Sequence, residues 1–259
     1  SGKLSQAAET LTRARRLLPD EDPSASAESA LLCLDQGDLD GATQHIDAAS
    51  IRGEGAIVSY VRGNIAANQG HLKAAKSYFD EAIETDPTHV RARLNRASIH
   101  MASGNAQDAL DDANVLLELA PGLALAKLRR AEANMMLTNW EAAKDDLEVI
   151  IEDAPHHHHA LTQLAACYIS MDRPEKAEAP LNEALRLAPD HTDAWHQRGL
   201  LYLDWGREEA ALNDFEAAVR CDGSHLDARL HIAAIHHEAK RFVEASGAWK
   251  GVLAIEPDH

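Results

Sequence analysis

The stretch WHQRGLLYLDWGREEAALNDFEAAVRCD, residues 195–222, reads as two short helical patterns separated at Gly206. Each half carries a small residue, Gly199 in the first and Ala211 in the second, and Phe215 and Ala218 follow on the second half at helical spacing. Small side chains at one fixed point on each of two helices are what two backbones need to approach closely where they cross. The stretch therefore predicts an antiparallel helix pair closed by a turn at Gly206.

Working outward, the same pattern returns with a step of 34 residues. Pro19, Pro87, Pro121, Pro155, Pro189 and Pro257 lie on one 34-residue grid, and the vacant grid points hold Gly53 and Gly223, which also end helices. With the grid residue as position 32, repeats start at about Asp22, Ala56, Val90, Ala124, His158, Thr192 and Leu226. Position 8 is then Ser29, Gly63, Ala97, Ala131, Ala165, Gly199 and Ala233, and position 20 is Gly41, Ala75, Ala109, Ala143, Ala177, Ala211 and Ala245. Position 24 is the bulky partner in Phe79, Leu147, Leu181, Phe215 and Trp249, with His45 and Ala113 departing from it. The helical pattern breaks around position 15, at Gly37, Gly70, Gly104, Thr138, Asp172 and Gly206, so each unit is a helix A over about positions 2–14 and a helix B over about 17–30.

Two places break the repeat. The run Arg52-Gly53-Glu54-Gly55 predicts the weakest junction. Pro180 falls in the middle of a B helix, where the missing N–H predicts a kink, whereas Pro174 falls near a first helical position and is tolerated.

Composition agrees with an all-helical chain. Among 259 residues, 45% are hydrophobic but only 4% aromatic, the balance being alanine and leucine. The net charge of −17 opposes non-specific binding to nucleic acid or anionic membrane. No apolar run approaches the roughly 20 residues of a membrane span, which predicts a soluble chain with the cytoplasm as the favoured compartment. Cys33, Cys167 and Cys221 have neither disulfide-framework nor zinc spacing. No nucleophile elbow, phosphate loop or metalloprotease signature occurs, so no catalytic residue and no cofactor are expected.

The spacing and the small-residue columns resemble the tetratricopeptide repeat (TPR). The resemblance runs from Asp22 to His259 as seven repeats, and Trp195, Gly199, Tyr202, Gly206, Ala211, Phe215 and Ala218 stand at the family's signature points. It implies an all-α, right-handed superhelical solenoid of antiparallel helix pairs that acts as a protein-interaction scaffold. Ser1-Gly2 reads as a fusion scar, and residues 3–19 read as the B helix of a truncated preceding repeat, so the array is expected to belong to a longer chain or a larger assembly. The last repeat is expected to expose the face that a following one would cover.

In such arrays the A-helix positions 2, 5, 6, 9 and 12 line the concave groove. The A helix of repeat 3 carries Arg91, Arg93 and Arg96, and that of repeat 4 carries Lys127, Arg129 and Arg130, in a chain that is acidic overall. Arg96 and Arg130 sit at position 7, with Arg62 and Arg198, and are expected at the repeat interface. Arg91, Asn95 and Arg129 are expected to point inward and to take an acidic segment or a carboxylate. A chaperone-carboxylate clamp known in the family uses two lysines, two asparagines and an arginine. Asn64, Asn95 and Arg129 match it, while Tyr60 and Leu125 stand where the lysines would be. The ligand-binding candidates are therefore Tyr60, Asn64, Arg91, Asn95 and Arg129, with a chaperone-linked adaptor as the alternative role.

The 15 histidines suggest a second alternative, a metal- or pH-responsive scaffold centred on His156–His159. Yet His recurs at position 34, as His89, His157, His191, His225 and His259, which predicts a turn residue reused by the repeat, and no metal ligand set is assigned. The carboxylates Asp111, Asp112, Asp145 and Asp146 are expected on a solvated convex face. If the groove of repeats 2–4 were not the binding surface, the groove around Tyr168, Trp195, His196 and Tyr202 would replace it.

Overall fold

A computed structural model of the protein describes residues 23–53 and 55–256. The proposed leading B helix at 3–19 and the final Pro257–His259 lie outside the described residues, as does Glu54 of the weak junction. Among the described residues every regular element is helical. Unit by unit the pairs are α1 (Pro23–Asp35) with α2 (Leu39–Arg52), α3 (Ala56–Asn68) with α4 (Leu72–Thr85), α5 (Val90–Ala102) with α6 (Ala106–Leu119), and α7 (Ala124–Met136) with α8 (Trp140–Asp153). They continue as α9 (His158–Ser170) with α10 (Glu178–Leu187), α11 (Thr192–Asp204) with α12 (Glu208–Cys221), and α13 (Leu226–Glu238) with α14 (Phe242–Ile255). The chain divides into two compact units, one up to Ala133 and one from Asn134, so that α7 contributes to both.

From α3 onward the A helices begin at Ala56, Val90, Ala124, His158, Thr192 and Leu226, the step of 34. The first pair departs by one residue. Because α1 begins at Pro23 and only three residues separate α2 from α3, its columns are not Ser29, Gly41 and His45 but Ala30, Ala42 and Ile46. Ala30 and Ala42 are fully buried and Ile46 nearly so. The apparent departure at His45 was a register error: the junction is one residue short, so the grid slips there.

The columns of small residues are the closest crossings. Ala75, Ala97, Ala109, Ala131, Ala143, Ala165, Ala177, Ala211 and Ala233 are all 0% exposed. Glycine replaces alanine at position 8 where position 24 is phenylalanine. A Cβ on Gly199 would lie 2.7 Å from Phe215 Cε1, and one on Gly63 would overlap the Phe79 ring. Where position 24 is Leu147 or Leu181, the methyl of Ala131 or Ala165 is accommodated. Trp249 is the exception in the bulky column, since it and Phe242, Val243 and Leu253 of α14 are exposed.

The hairpin turn is equally regular. Position 15 has positive φ in every pair: Gly37, Gly70, Gly104, Thr138, Asp172, Gly206 and Lys240. The next residue's N–H returns to a carbonyl five residues back, as in His71 to Ala66 (2.9 Å) and Arg207 to Tyr202 (2.8 Å), which closes the A helix in the manner of a Schellman cap. Lys240 adopts this conformation without the glycine or short polar residue that marks the turn elsewhere.

Pro180 has a different effect from the expected kink. An α-helix starting at Pro174 would place the Pro180 ring against the Lys176 carbonyl and leave that carbonyl without its N–H. Instead Pro174–Lys176 forms a 3-10 turn, and α10 starts at Glu178, so Pro180 falls in its first turn, where no intrahelical N–H is needed. The helix is shortened rather than bent.

The acidic B helices are not simply solvated. Asp112, Asp146 and Asp214, all at position 23, are buried. Arg96 donates from Nε to Asp112 Oδ2 (2.8 Å) and from Nη1 to Asp80 of the preceding B helix (2.7 Å). Arg198 repeats the arrangement, with both Nε and Nη2 on Asp214 (2.7 and 2.8 Å) and Nη1 on Asn182 (2.7 Å). Position 7 thus clasps its own B helix to the previous one, and Arg62 reaches back likewise to Ser50 (2.8 Å).

Two outcomes follow from these contacts. Gly199→Ala should destabilise by about 1–3 kcal/mol because its methyl meets a buried ring. Gly247→Ala, in open space on α14, should instead stabilise by about 0.5–1 kcal/mol, and urea midpoints moving in the same direction for both would contradict the crossing. Arg198→Met should cost about 2–3 kcal/mol by stranding buried Asp214. Arg198→Met with Asp214→Leu should cost less than the single change, and additive losses would show that the pair is not a clasp.

Candidate binding surface

The A helices of the first unit bring some of the candidate residues together and separate others. Asn64 on α3 and Asn95 on α5 meet: Asn95 Nδ2 donates to Asn64 Oδ1 at 2.6 Å. The bond leaves Asn64 with an amide donor and Asn95 with an amide acceptor, both half-buried. Asn95 also lines a cavity of about 220 Å³ with Leu72, Phe79 and Ile99. Tyr60 is buried, its ring 4.9 Å from the His89 ring and 6.0 Å from Phe79, so it packs the wall rather than presenting its face.

The basic residues divide by position. Arg93 binds the Pro87 carbonyl and Asp112, and Arg96 forms the clasp, so both serve the scaffold. Arg91 at position 2 is exposed. Arg129 forms a 2.6 Å ion pair with Glu132 one turn along α7, which commits one edge of its guanidinium within the helix. Leu125 is exposed, and with Tyr60 buried the two lysine positions of the carboxylate clamp hold no cation.

In the second unit the aromatic residues are engaged by the repeat. Trp195 Nε1 donates to the Pro189 carbonyl (2.8 Å), as Arg93 and Arg229 do to Pro87 and Gly223 at the same position. The Arg198 guanidinium lies 4.8 Å over the Trp195 ring. Tyr168 and Tyr202 donate to Glu148 and Glu178, and burial together with those carboxylates raises both phenols above their ordinary range. A cavity of about 400 Å³ opens between α9 and α11, lined by Ile169, Ser170, Pro174, Gln197, Leu200 and Asp204. The sequence reading missed this cavity. Its signal was present, since Gln197 and Leu200 occupy positions 6 and 9 of the groove.

The histidines are largely structural. His89, His157 and His225 cap the following helices, each Nδ1 accepting the N–H of the residue three on (3.1–3.2 Å). His158 lies 5.0 Å from His191, and His196 lies 4.7 Å from His225 and 5.7 Å from His231. Burial first, then the charges of His225 and His231, push the His196 imidazole down to about 4, and burial lowers His89, His191 and His231. Among the described residues no three His, Cys, Asp or Glu side chains are grouped as a metal ion requires, and no helix is long and apolar enough to cross a membrane.

Comparison with known proteins agrees with this architecture. Family profiles described as tetratricopeptide repeat match residues 1–56 and 60–124, 125–157 and 164–231. The chain belongs to the tetratricopeptide-repeat family. A tetratricopeptide repeat protein from Parabacteroides merdae shares 19% identity at a TM-score of 0.63, covering 90% of this chain and 93% of that one. The Cut9–Hcn1 hetero-tetramer of APC/C gives a TM-score of 0.77 at 17% identity, over 96% of this chain and 49% of that one. YrrB, described as a TPR protein with an unusual peptide-binding site, gives 0.51 at 23% identity, over 70% and 93%. A search of curated protein sequences found no match.

The lowered histidines set a pH dependence. A group whose folded pKa lies below its unfolded value of about 6.5 carries no penalty above that pH and a growing one as the pH falls toward the folded value. Thermal stability should therefore drop between pH 7.5 and 5, and His196→Tyr, which copies the Tyr60–His89 packing of the earlier repeat, should flatten part of that slope. An unchanged slope in the variant would remove His196 as its source.

Proposed function

We infer that the protein is a non-catalytic scaffold that holds an extended segment of a partner protein against the A helices of its first unit. The observation that carries this is the Asn95–Asn64 bond, which fixes one amide donor and one amide acceptor beside an apolar cavity. A peptide unit presents the complementary acceptor and donor, and a partner side chain has the cavity to enter. The exposed Arg91 supplies a cation at the same helix, so an acidic residue flanking the segment is favoured, with Arg129 adding the donors that Glu132 leaves unused. The YrrB neighbour supports peptide binding as a use of this fold.

The test uses a fluorescein-labelled acidic pentapeptide, its C-terminal amide and a lysine-substituted counterpart, read by anisotropy on the full chain. The acidic peptide should bind best and weaken with added salt. Arg91→Glu with Arg129→Glu should cost roughly 1–2 kcal/mol of that affinity, less than for fully buried partners because Arg91 is exposed and Arg129 already paired. Asn95→Ala should cost about 1 kcal/mol. Equal binding of free acid and amide would exclude a terminal-carboxylate clamp, and full affinity in the double variant would overturn the site.

A further inference from the structure

The cavity between α9 and α11 lies three repeat lengths after the cavity between α3 and α5 and occupies the same repeat positions. Gln197 stands where Asn95 does, Leu201 where Ile99 does and Ala166 where Asn64 does. The substitutions alter its chemistry in two ways. With Ala166 in place of Asn64, the amide at position 6 has lost the amide that holds Asn95, and Gln197 Oε1 is closed off from solvent with no hydrogen-bond partner. At the far end Asp204 replaces Ala102 and puts an exposed carboxylate at the lip.

Between these two groups the wall is apolar, formed by Ile169, Pro174 and Leu200, and Ile169 and Leu200 remain open to solvent. Gln197 and Asp204 are seven residues apart on α11, which places them on one face about 10.5 Å apart along the axis. Aliphatic surface that ends in an exposed carboxylate forms the complement of one extended lysine side chain. Its methylenes cover Leu200 and Ile169, and its ammonium meets Asp204 at the lip. The lining residues include no cation to oppose it.

We propose that this cavity receives a lysine side chain of a partner polypeptide. The proposal rests on the reading of the protein as a peptide-binding scaffold, but it places a site of opposite charge preference in the second unit.

The experiment titrates the ¹⁵N-labelled full chain with N-acetyl-lysine N-methylamide, using the norleucine and glutamate analogues as comparators. The lysine compound should give saturable shifts at the Gln197 side-chain amide and at Ile169, Leu200 and Asp204, and should bind more tightly than norleucine. Asp204→Asn should weaken it roughly two- to fivefold, the range of an exposed ion pair, while leaving norleucine binding intact, and Gln197→Leu should leave the preference for lysine over norleucine unchanged. Thermal melts of both variants check that the fold is kept. Norleucine binding as tightly as lysine would reduce the cavity to an apolar slot and overturn the proposal, as would preference for glutamate or an absence of saturable shifts. The Arg91→Glu, Arg129→Glu variant should bind the lysine compound unchanged while losing the acidic peptide, which keeps the two sites' failures separate.

Discussion

The helix crossings govern this molecule, because a methyl group at the wrong place would push two backbones apart. Buried alanines recur at positions 8 and 20 with no exposure, and glycine enters where the opposing residue is Phe79 or Phe215. A helix pair fixed in this way has a small apolar seam, so it depends on neighbours to bury the rest of its surface. The position-7 arginines Arg96 and Arg198 answer that need by tying their own B helix to the one before it. Paired charges suit this role: a clasp misplaced by one residue would leave a buried carboxylate without its partner, a far larger penalty than a slipped apolar contact.

How much of this could be read from sequence depends on whether the information is periodic. Alanine columns, turn positions and the position-34 histidines repeat, and repetition made them visible from α3 onward. A single-residue deletion defeats the same method. The junction after Arg52 moved the columns of the first pair without disturbing the composition near them, and Gly53 still occupied the grid point. Proline offered a similar lesson at Pro180, where its position in the expected helix was plain but the chain's choice to restart that helix later was not.

Burial of charge was the least legible property. Asp111 and Asp112 are adjacent and chemically identical, yet Asp112 is buried against Arg96 and Arg93 while Asp111 faces solvent. Helical phase separates them, and phase becomes informative only once the partner at position 7 is recognised. The basic residues of α5 show the converse. Three arginines suggest a strongly positive groove, but two of them are neutralised within the scaffold, so the charge available to a ligand is much smaller than the count implies. The Asn95–Asn64 contact follows from repeat register alone, because position 6 of one repeat lies opposite position 9 of the previous one. The buried, unpartnered Oε1 of Gln197 was not legible in this way, since it depends on the absence of that partner at Ala166.

The 3-10 turn at Pro174–Lys176 has a bearing on how the second unit responds to occupancy. Pro174 both opens that turn and forms part of the cavity wall. The wall on that side is therefore a 3-10 turn leading into a shortened helix rather than a continuous α-helical surface. An occupant of the cavity would bear on Pro174, whose carbonyl accepts the Ala177 N–H (3.0 Å) and so leads directly into the first turn of α10.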